Sequence, residues 1–392
     1  MAELKVLYFA LVSPSLGGVE KKIISQFSEI SKNSVGSGLY LITEQSPSPS
    51  LKSACEEVKG ITVEHPLRRI QNPITRRRWK FAKIDQIMNR FDPASTVIYM
   101  RYPASDHFFL SLLKKNSEYN VVTEHQEIER TLKARHGNRG KRFFESIYGK
   151  SVRKRIAGFV GVTEEILQYE YSRIGGDDTP GYVCPNGVSV ESVPIRKLGQ
   201  FDPSVLKVLF VGSPYLHHGL DRLINGLKNY YRTNPSVKVD LTIAGESHEL
   251  RTIIHESEMD EIEKHVNFTG FLEGEDLDLL FDTHHLAIGA LAIHRAGSGS
   301  PLKSKEYCAR GIPFVDSAED GDFHPEFPFR LKIDSSDCPL DIHQIIRFGE
   351  SVLSDSDHPF KMREYAKENL DWKSKMKQLV DFLERVMTNY EK

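Results

Sequence analysis

Cysteine is scarce in this sequence, and its few copies stand far apart. The 392 residues contain Cys55, Cys184, Cys308 and Cys338, with no CxxC pair among them. We therefore expect neither a zinc site nor a disulfide framework, and a reducing cytoplasm is the simplest setting. Long apolar runs are also missing, because stretches such as Val6–Val12 are far shorter than the ~20 residues of a membrane-spanning helix.

The chain as a whole has no marked excess of positive or negative residues, since its formal net charge is −2. This balance hides an asymmetry, since residues 1–195 carry 28 Lys+Arg against 21 Asp+Glu and the remainder carries 24 against 33. Such a division indicates that the two halves meet different partners. With 39% hydrophobic and 27% charged residues, the composition excludes a disordered chain, a collagen-like fibre and a polytopic membrane protein.

Short apolar runs alternate with segments of helical periodicity along the sequence. In the first half the runs are Lys5–Val12, Leu39–Thr43, Thr96–Met100, Val121–Glu124, Gly158–Val162 and Gly181–Cys184. After a stretch without periodicity at Glu191–Pro203, which we interpret as a linker, the alternation restarts at Val205–Val211. Strands that alternate with helices predict parallel βαβ units. We therefore expect an α/β chain with two doubly wound domains, whose ligands bind at the carboxyl ends of the strands.

Glycine or proline interrupts this alternation at four strand ends. After the first strand, Gly17 and Gly18 let the backbone approach a ligand just before a helix N-terminus, although an ordinary turn would look the same. The Asn-Gly turn in Cys184–Val188 ends the first half. The segment Phe210–Gly219 opens the second half and contains His218, which either hydrogen-bonds a phosphate or lies in a plain surface loop.

The fourth interruption, His294–Pro313, gives the strongest signal. Its small-residue loop leads into a helix with Pro301 near the first position, where proline is tolerated. The loop N–H groups and the helix N-terminus form an anion nest, to which Arg295 and Lys303 can add positive charge. Glu306 follows one turn later, where a carboxylate can accept both hydroxyls of a ribose or merely balance the helix dipole.

Together these motifs resemble those of the retaining glycosyltransferases of family 4 and their relatives, which have the GT-B fold. The matching stretches are Gly17-Gly18-Val19-Glu20 (GGxE), Pro185-Asn186-Gly187-Val188 (PNGVD), Phe210-Val211-Gly212 with His218-Gly219 (FVG…HG), Leu241–Glu246 (LxIxGxG) and Pro301–Pro313 (PLKxxEYxAxGxP). The resemblance covers nearly the whole chain. It implies two facing Rossmann-like domains with an interdomain cleft: an acceptor-binding domain at 1–195, a nucleotide-sugar-binding domain at 196–375, and a C-terminal helix at 376–392 that packs on the first domain.

The resemblance also implies roles for individual residues. The catalytic set is His125 near the transferred sugar, Lys303 on the pyrophosphate and Glu306 on the donor ribose. The implied donor-binding residues are Gly17, Gly18, Gly212, His218, Arg295, Ser298, Gly299, Ser300, Leu302, Lys303 and Glu306. Two positions depart from the family pattern, because Ser298 stands where a glutamate is usual and His218 where a lysine is usual.

No acidic pair stands where a metal-dependent transferase would need one, since Asp177-Asp178 lies in a glycine-rich turn and Asp320–Asp322 in a loop. We therefore expect no metal and no cofactor, with the nucleotide-diphosphate sugar as the donor substrate. On family grounds we expect retention of anomeric configuration, with the leaving phosphate taking the acceptor proton. Two other functions stay open: a non-catalytic sugar-nucleotide-binding GT-B protein, and a sugar-nucleotide epimerase.

Basic clusters in the first half suggest where the acceptor is met. The first consists of Arg68, Arg69, Arg76, Arg77, Arg78 and Lys80, and a second group lies between Arg130 and Arg155. With the interleaved Trp79, Phe81, Phe143 and Phe144, they can attract an anionic membrane that presents a glycan or polyprenyl-linked acceptor, or they can form a solvated face. Nucleic acid is not expected, because no helix-turn-helix, RRM or zinc pattern accompanies the charge. The sequence thus predicts a cytoplasmic glycosyltransferase of surface polysaccharide or glycoconjugate biosynthesis, peripheral at the inner face of the membrane.

Overall fold

The computed structural model describes residues 4–128, 139–176, 178–199, 202–246, 262–295, 297 and 299–389. The chain forms two compact units, Met1–Pro185 with Trp372–Lys392 and Asn186–Asp371. The sequence-based boundaries at 195 and 375 lie ten and four residues beyond these. The first boundary lies earlier because the Asn186 N–H donates to Ser300 and the Arg196 N–H donates to the Arg310 carbonyl, which attach the segment between them to the second unit.

The first unit contains a seven-stranded parallel sheet in the order β3-β2-β1-β4-β5-β6-β7. Its strands are β1 (Lys5–Leu11), β2 (Gly38–Ile42), β3 (Ile61–Glu64), β4 (Thr96–Arg101), β5 (Asn120–His125), β6 (Gly158–Gly161) and β7 (Gly181–Val183). Its helices are α1 (Gly18–Asn33), α2 (Pro49–Glu56), α3 (Pro73–Met88), α4 (His107–Lys115), α5 (Arg139–Arg153) and α6 (Glu164–Ile174). Alternate residues of β1 enter two separate buried clusters, so helices cover both faces of the sheet.

The second unit contains a six-stranded parallel sheet in the order β10-β9-β8-β11-β12-β13. Its strands are β8 (Val205–Val211), β9 (Lys238–Ala244), β10 (Val266–Phe268), β11 (Leu286–Ile288), β12 (Phe314–Asp316) and β13 (Arg330–Lys332). Its helices are α7 (Leu220–Tyr231), α8 (Gly274–Thr283), α9 (Leu302–Arg310), α10 (Ile342–Leu353) and α11 (His358–Asn369). The predicted α/β class with two doubly wound sheets is therefore confirmed.

The last helix, α12 (Trp372–Asn389), belongs to the first unit and packs against α1. It buries Trp372, Met376, Leu379, Leu383 and Val386, a three- and four-residue spacing that lines one face of a helix. Nothing in the described part of the chain forms a helix with the length and apolar character of a membrane span.

Candidate functional site

In the second unit, a glycine follows each of the neighbouring strands β8 and β9, and the side chain of Lys303 packs against the first of these glycines. Gly212 has φ +105°, and a Cβ atom there would lie 3.1 Å from Cε of Lys303. Gly245, which follows β9, has φ +154°, and its Cβ would lie 2.2 Å from the Gly212 carbonyl oxygen. Both positions require glycine, because a side chain there would clash with its neighbours. Since Lys303 contacts Gly212, the lysine lies at the carboxyl edge of the sheet, where doubly wound sheets bind ligands.

Lys303 lies at the start of α9 without a described carboxylate in ion-pair contact. Its Nζ is 3.9 Å from the ring centroid of Phe210 and 3.2 Å from Nε2 of His218. Loss of hydration lowers the pKa of Lys303 to about 7, against an opposing effect from the charge of Glu306. The amine is therefore poised to gain a proton when an anion arrives.

His218 lies in the turn before α7 and is oriented toward this lysine. Its Nδ1 accepts the backbone N–H of Tyr215 at 3.0 Å, so a neutral imidazole carries its proton on Nε2. That Nε2–H donates to the neutral amine nitrogen of Lys303 at 3.2 Å, and both groups can donate to an anion once the amine is protonated. The role predicted for His218, a hydrogen bond to the donor phosphate, stays a prediction.

The loop before α9 is hydrogen-bonded to the Pro-Asn-Gly turn that begins at Pro185. The side-chain amide of Asn186 donates to the Ser300 carbonyl at 2.6 Å, and its backbone N–H donates to Ser300 Oγ at 3.1 Å. The turn interpretation of this motif thus missed a second role, which is to position the loop that contains Gly299 and Ser300. Ser298, a predicted donor-binding residue, lies outside the described residues.

Glu306 lies one turn into α9, next to Leu302 and Lys303 at the helix start, and its side chain is 38% exposed. Its Oε1 accepts from Nε of Arg310 at 2.9 Å, and Arg310 also bonds to Asp278 at 2.6 Å. Arg310 therefore fixes the carboxylate's orientation, a role that the sequence interpretation missed. The i,i+4 spacing of Glu306 and Arg310 was the available signal.

Arg295 takes part in a separate group of ion pairs. Its Nη1 and Nη2 donate to Asp221 at 2.7 and 2.8 Å, and its Nε donates to Asp337 at 2.7 Å. The structure thus gives Arg295 two carboxylate partners, whereas Lys303 has no described carboxylate in ion-pair contact. Among the described residues, no group of three or more His, Cys, Asp or Glu side chains is arranged to hold a metal ion.

In the first unit, His125 ends β5 and is buried. Its Nε2 lies 2.9 Å from Oγ1 of Thr123, and its Nδ1 lies 3.1 Å from Oε1 of Glu170. Its ring stacks on Tyr102 with centroids 4.4 Å apart. Burial by itself raises the pKa of Glu170, but His125 and the Arg153 guanidinium, whose Nε lies 2.5 Å away, lower it to about 2. The carboxylate of Glu170 therefore holds the histidine in place, and Arg153 in turn binds that carboxylate.

The first predicted glycine loop is organised by the glutamate of its own motif. Glu20 accepts the backbone N–H groups of Ser13 and Gly17, both at 3.1 Å, through its two carboxylate oxygens. A Cβ on Gly18 would meet no atom within 4 Å, so the second glycine is not required by contacts within the described chain.

A cavity of about 860 Å³ lies at the carboxyl ends of the strands of the first unit, with His125 in its wall. The other wall residues include Ser13, Pro14, Glu44, Arg76, Arg77, Lys80, Arg101, Tyr102, Glu124, Gln126 and Glu127. Gly17 and Gly18 are not among the residues that line it.

Three of the six members of the first basic cluster have carboxylate partners within the first unit. Arg76 and Lys80 pair with Glu44 at 3.1 and 2.8 Å, and Arg77 pairs with Asp106 at 2.5 Å. Glu44 follows β2 and Asp106 precedes α4. Both are distant in sequence from α3, so counting the charges near the cluster in the sequence did not reveal them. Arg68, Arg69 and Arg78 are exposed.

One aromatic residue and one basic residue that were assigned to the membrane face are also buried. Phe81 is 3% exposed and packs on Phe109, with which it stacks at 5.6 Å between centroids. Arg153, from the second basic group, is fully buried against Glu170 and Glu145. Phe143 and Phe144 are exposed as expected, and residues 129–138 lie outside the described part of the chain.

Comparison with known proteins gives a family match for part of the chain and structural matches for nearly all of it. The family model described as Glycosyl transferases group 1 matches residues 206–326. No curated protein sequence matches the chain.

Several solved structures are similar at low identity. HepE from Anabaena, in complex with UDP and glucose, is 14% identical with a TM-score of 0.65, over 97% of this chain and 100% of that one. The lipopolysaccharide outer core galactosyltransferase WaaB is 14% identical with a TM-score of 0.65, over 97% and 99%. Sucrose-phosphate synthase from Thermosynechococcus elongatus is 12% identical with a TM-score of 0.66, over 98% and 100%. The chain therefore has the GT-B fold, and its second unit carries the match to the Glycosyl transferases group 1 family.

Proposed function

We propose that the protein is a glycosyltransferase that moves a sugar from a nucleotide-diphosphate sugar to an acceptor hydroxyl. The observation that carries this proposal is the environment of Lys303, a lysine held uncompensated at the carboxyl edge of the second sheet, with Glu306 one helical turn away. The match of residues 206–326 to group 1 glycosyl transferases supports the same function. HepE, which has the same fold, binds UDP and glucose.

The donor diphosphate is the ligand that we assign to the edge around α9. Lys303, His218 Nε2 and the N–H groups of Gly299 and Ser300 supply donors, and the N-terminus of α9 adds a favourable dipole. Glu306, oriented by Arg310, accepts the ribose hydroxyls. Gly212 keeps the strand end open for the lysine.

The reaction needs stabilisation of the leaving group more than a strong base. As the bond from the anomeric carbon to the β-phosphate oxygen breaks, negative charge develops on the diphosphate, where preorganised donors are most effective. The acceptor oxygen forms the new bond to the anomeric carbon, and its proton passes to the departing phosphate. We propose that transfer proceeds on the front face, with retention of configuration and without a metal, and that His125 lies near the transferred sugar.

A thermal-shift screen of nucleotide sugars with the full chain tests this proposal. A matching donor at 100 times its dissociation constant should stabilise the protein by about 2.7 kcal/mol. Stabilisation by a nucleotide sugar followed by glycosyl transfer to added acceptors supports the proposal. Release of an epimer from donor alone would assign an epimerase instead. Binding without any transfer would leave a non-catalytic binding protein.

For the cellular setting we propose surface polysaccharide or glycoconjugate synthesis at the cytoplasmic face of a membrane. The exposed Arg68, Arg69 and Arg78, together with Phe143 and Phe144, carry this part of the proposal. Co-sedimentation with liposomes should increase with anionic lipid content and decrease with salt. Equal sedimentation with neutral and anionic liposomes would contradict membrane recruitment.

A further inference from the structure

Helix α9 has two polar faces, and only one of them belongs to the proposed donor site. Lys303, Glu306 and Arg310 follow an i, i+3, i+7 spacing, which places them along one side of the helix. Ser304 and Lys305 lie on the inward side and are fully buried. They occupy the two variable positions of the PLKxxEY motif. A buried lysine needs partners that compensate its charge, and these partners show what the inward face does.

The Lys305 ammonium is bound by two carboxylates of the segment that follows β12. Its Nζ donates to Asp320 Oδ1 at 2.8 Å and to Oδ2 of Asp322, and it lies 4.8 Å from the ring centroid of Phe323. The side chains of Lys305 and Asp320 are at most 1% exposed, and that of Asp322 is 11% exposed. Two charge-assisted hydrogen bonds and a ring contact fix both the position and the direction of the ammonium. They therefore restrict how α9 can rotate about its own axis.

The same segment, residues 316–322, makes a second attachment to α9. We call these residues the anchor segment. Ser304 Oγ donates to Asp316 Oδ2 at 2.7 Å, and Nε of Arg330 donates to the other oxygen of Asp316 at 2.8 Å. Because Arg330 begins β13, the carboxylate of Asp316 links α9 to a strand of the sheet. The helix is thus attached through two successive residues of its inward face.

The anchor segment also fixes the chain before the predicted anion-binding loop at 294–301. The N–H and the hydroxyl of Ser317 both donate to the Ala290 carbonyl at 2.8 Å. Oγ of Ser317 also accepts the N–H of Ile293 at 3.2 Å. Ile293 directly precedes the loop, and α9 begins directly after it. One segment therefore holds the chain on both sides of the proposed donor site.

Stability alone does not explain a buried cation at position 305. Buried ion pairs are often no more stable than apolar residues of similar volume, because the charges lose their hydration. An apolar side chain would cover the same core, but it would not select one rotation of the helix. The ion pairs of Lys305 do select one, and in that rotation Lys303 lies against Gly212 at the carboxyl edge of the sheet.

From these contacts we propose that Lys305 is a positioning residue of the donor site. Its attachment to the anchor segment sets the orientation of Lys303 and Glu306 toward the donor diphosphate. This inference rests on the proposed glycosyltransferase function, under which Lys303 and Glu306 bind the donor. Being fully buried, Lys305 does not touch the donor itself. Without its ion pairs α9 still forms and packs, but Lys303 loses part of its contact with the diphosphate.

Calorimetric titration of the full chain with uridine, guanosine and adenosine diphosphate identifies the nucleotide that binds, and each variant is then titrated with that nucleotide. Lys305→Met alone leaves two carboxylates unpaired and should reduce stability toward urea. The triple variant that adds Asp320→Asn and Asp322→Asn removes those charges as well, so it should regain stability. We expect the triple variant to bind the nucleotide about tenfold more weakly than the wild type, the loss of one charge-assisted contact.

A double-mutant cycle and two further variants separate positioning from a structural role. Lys303→Gln removes a group through which Lys305 acts, so the loss of affinity in the triple variant should be clearly smaller in that background. Glu319→Gln breaks an exposed ion pair between the anchor segment and Lys332, and it should leave affinity and stability unchanged. Ser304→Ala deletes only a hydroxyl of the second attachment, and it should weaken binding about threefold.

Wild-type affinity in a folded triple variant would overturn the inference, because the Lys305 contacts would then only stabilise the fold. An equal loss of affinity with and without Lys303→Gln would also overturn it. If the triple variant does not fold, wild-type affinity in Ser304→Ala has the same meaning. These results leave the proposed function intact, since the wild-type chain still binds nucleotide. Failure of the proposed function is distinct: the wild-type chain would bind none of the three nucleotides, and this inference would fall with it.

Discussion

Lys303 shows how one residue's surroundings can prepare it for a ligand. It is a potential cation placed over an aromatic ring and beside the protonated nitrogen of a neutral histidine, and burial lowers its pKa to about 7. The sequence pattern indicated the lysine and predicted that it contacts the donor pyrophosphate. It did not indicate that the amine would be close to neutral without a ligand, because that depends on Phe210 and His218 from another strand and loop.

We expect nucleotide diphosphate binding to take up a proton at about pH 8.5, where an amine with a pKa near 7 is mostly neutral. The bound diphosphate restores the ammonium, so affinity should decrease as pH rises above 7. Calorimetry in two buffers of different ionisation enthalpy measures the uptake. The diphosphate itself is fully ionised there, since its last pKa is about 6. Identical uptake in Lys303→Gln would assign the proton to another group.

Gly212 sets the space that Lys303 occupies, and its replacement by alanine should impair binding. The new Cβ would lie 3.1 Å from the lysine Cε, in a backbone conformation at φ +105° that L-residues rarely adopt. We expect a cost of about 1–3 kcal/mol in unfolding free energy and a clear loss of nucleotide affinity, measured by denaturation and titration. Gly199→Ala is the matched control, because its Cβ meets open space. A wild-type-like Gly212→Ala protein would contradict this account.

Whole elements were predicted well where the apolar pattern was strong, and an edge strand with a mixed pattern was missed. β1, β4, β5 and β8 appear close to their predicted bounds, since they are continuous apolar runs in sheet interiors. The edge strand Ile61–Glu64 was missed because it is only half buried and mixes polar with apolar residues. The inward pairing of α3 was missed for a different reason: its carboxylate partners come from distant loops, which local charge counting does not include.

At the element scale, α12 should stabilise the first unit through its buried stripe. Leu383 is fully buried in the core that α12 shares with α1, and Leu383→Ala should lower the unfolding free energy by about 2–5 kcal/mol. Arg385→Ala, two residues later on the exposed face, should change it by less than about 0.5 kcal/mol. Urea denaturation followed by circular dichroism compares the two. Equal effects would mean that α12 does not contribute through this face.

At the scale of the whole molecule, the two structural units do not correspond to two successive halves of the sequence. The first unit is completed only by its last helix, whereas the second is one continuous segment. Its ends are joined internally, since the Val188 N–H donates to the Leu370 carbonyl at 2.9 Å and the Val190 N–H to the Asp371 carboxylate at 3.3 Å. The sequence indicated two βα series but not this closure, because it depends on contacts between residues nearly two hundred positions apart.

We therefore expect residues 186–371 to fold as an independent domain. Their core is self-contained and their closed ends require no help from the first unit, so the fragment should unfold cooperatively and bind nucleotide diphosphate with the pH dependence assigned to Lys303. A second truncation, 1–371, lacks α12 and so removes Met376, Leu379 and Leu383 from the first core, and its first unit should unfold early. Scanning calorimetry with titration tests both fragments. A fragment 186–371 that melts without cooperativity would show that the second unit depends on the first, and a well-folded fragment without nucleotide affinity would show that the donor contacts are not confined to it.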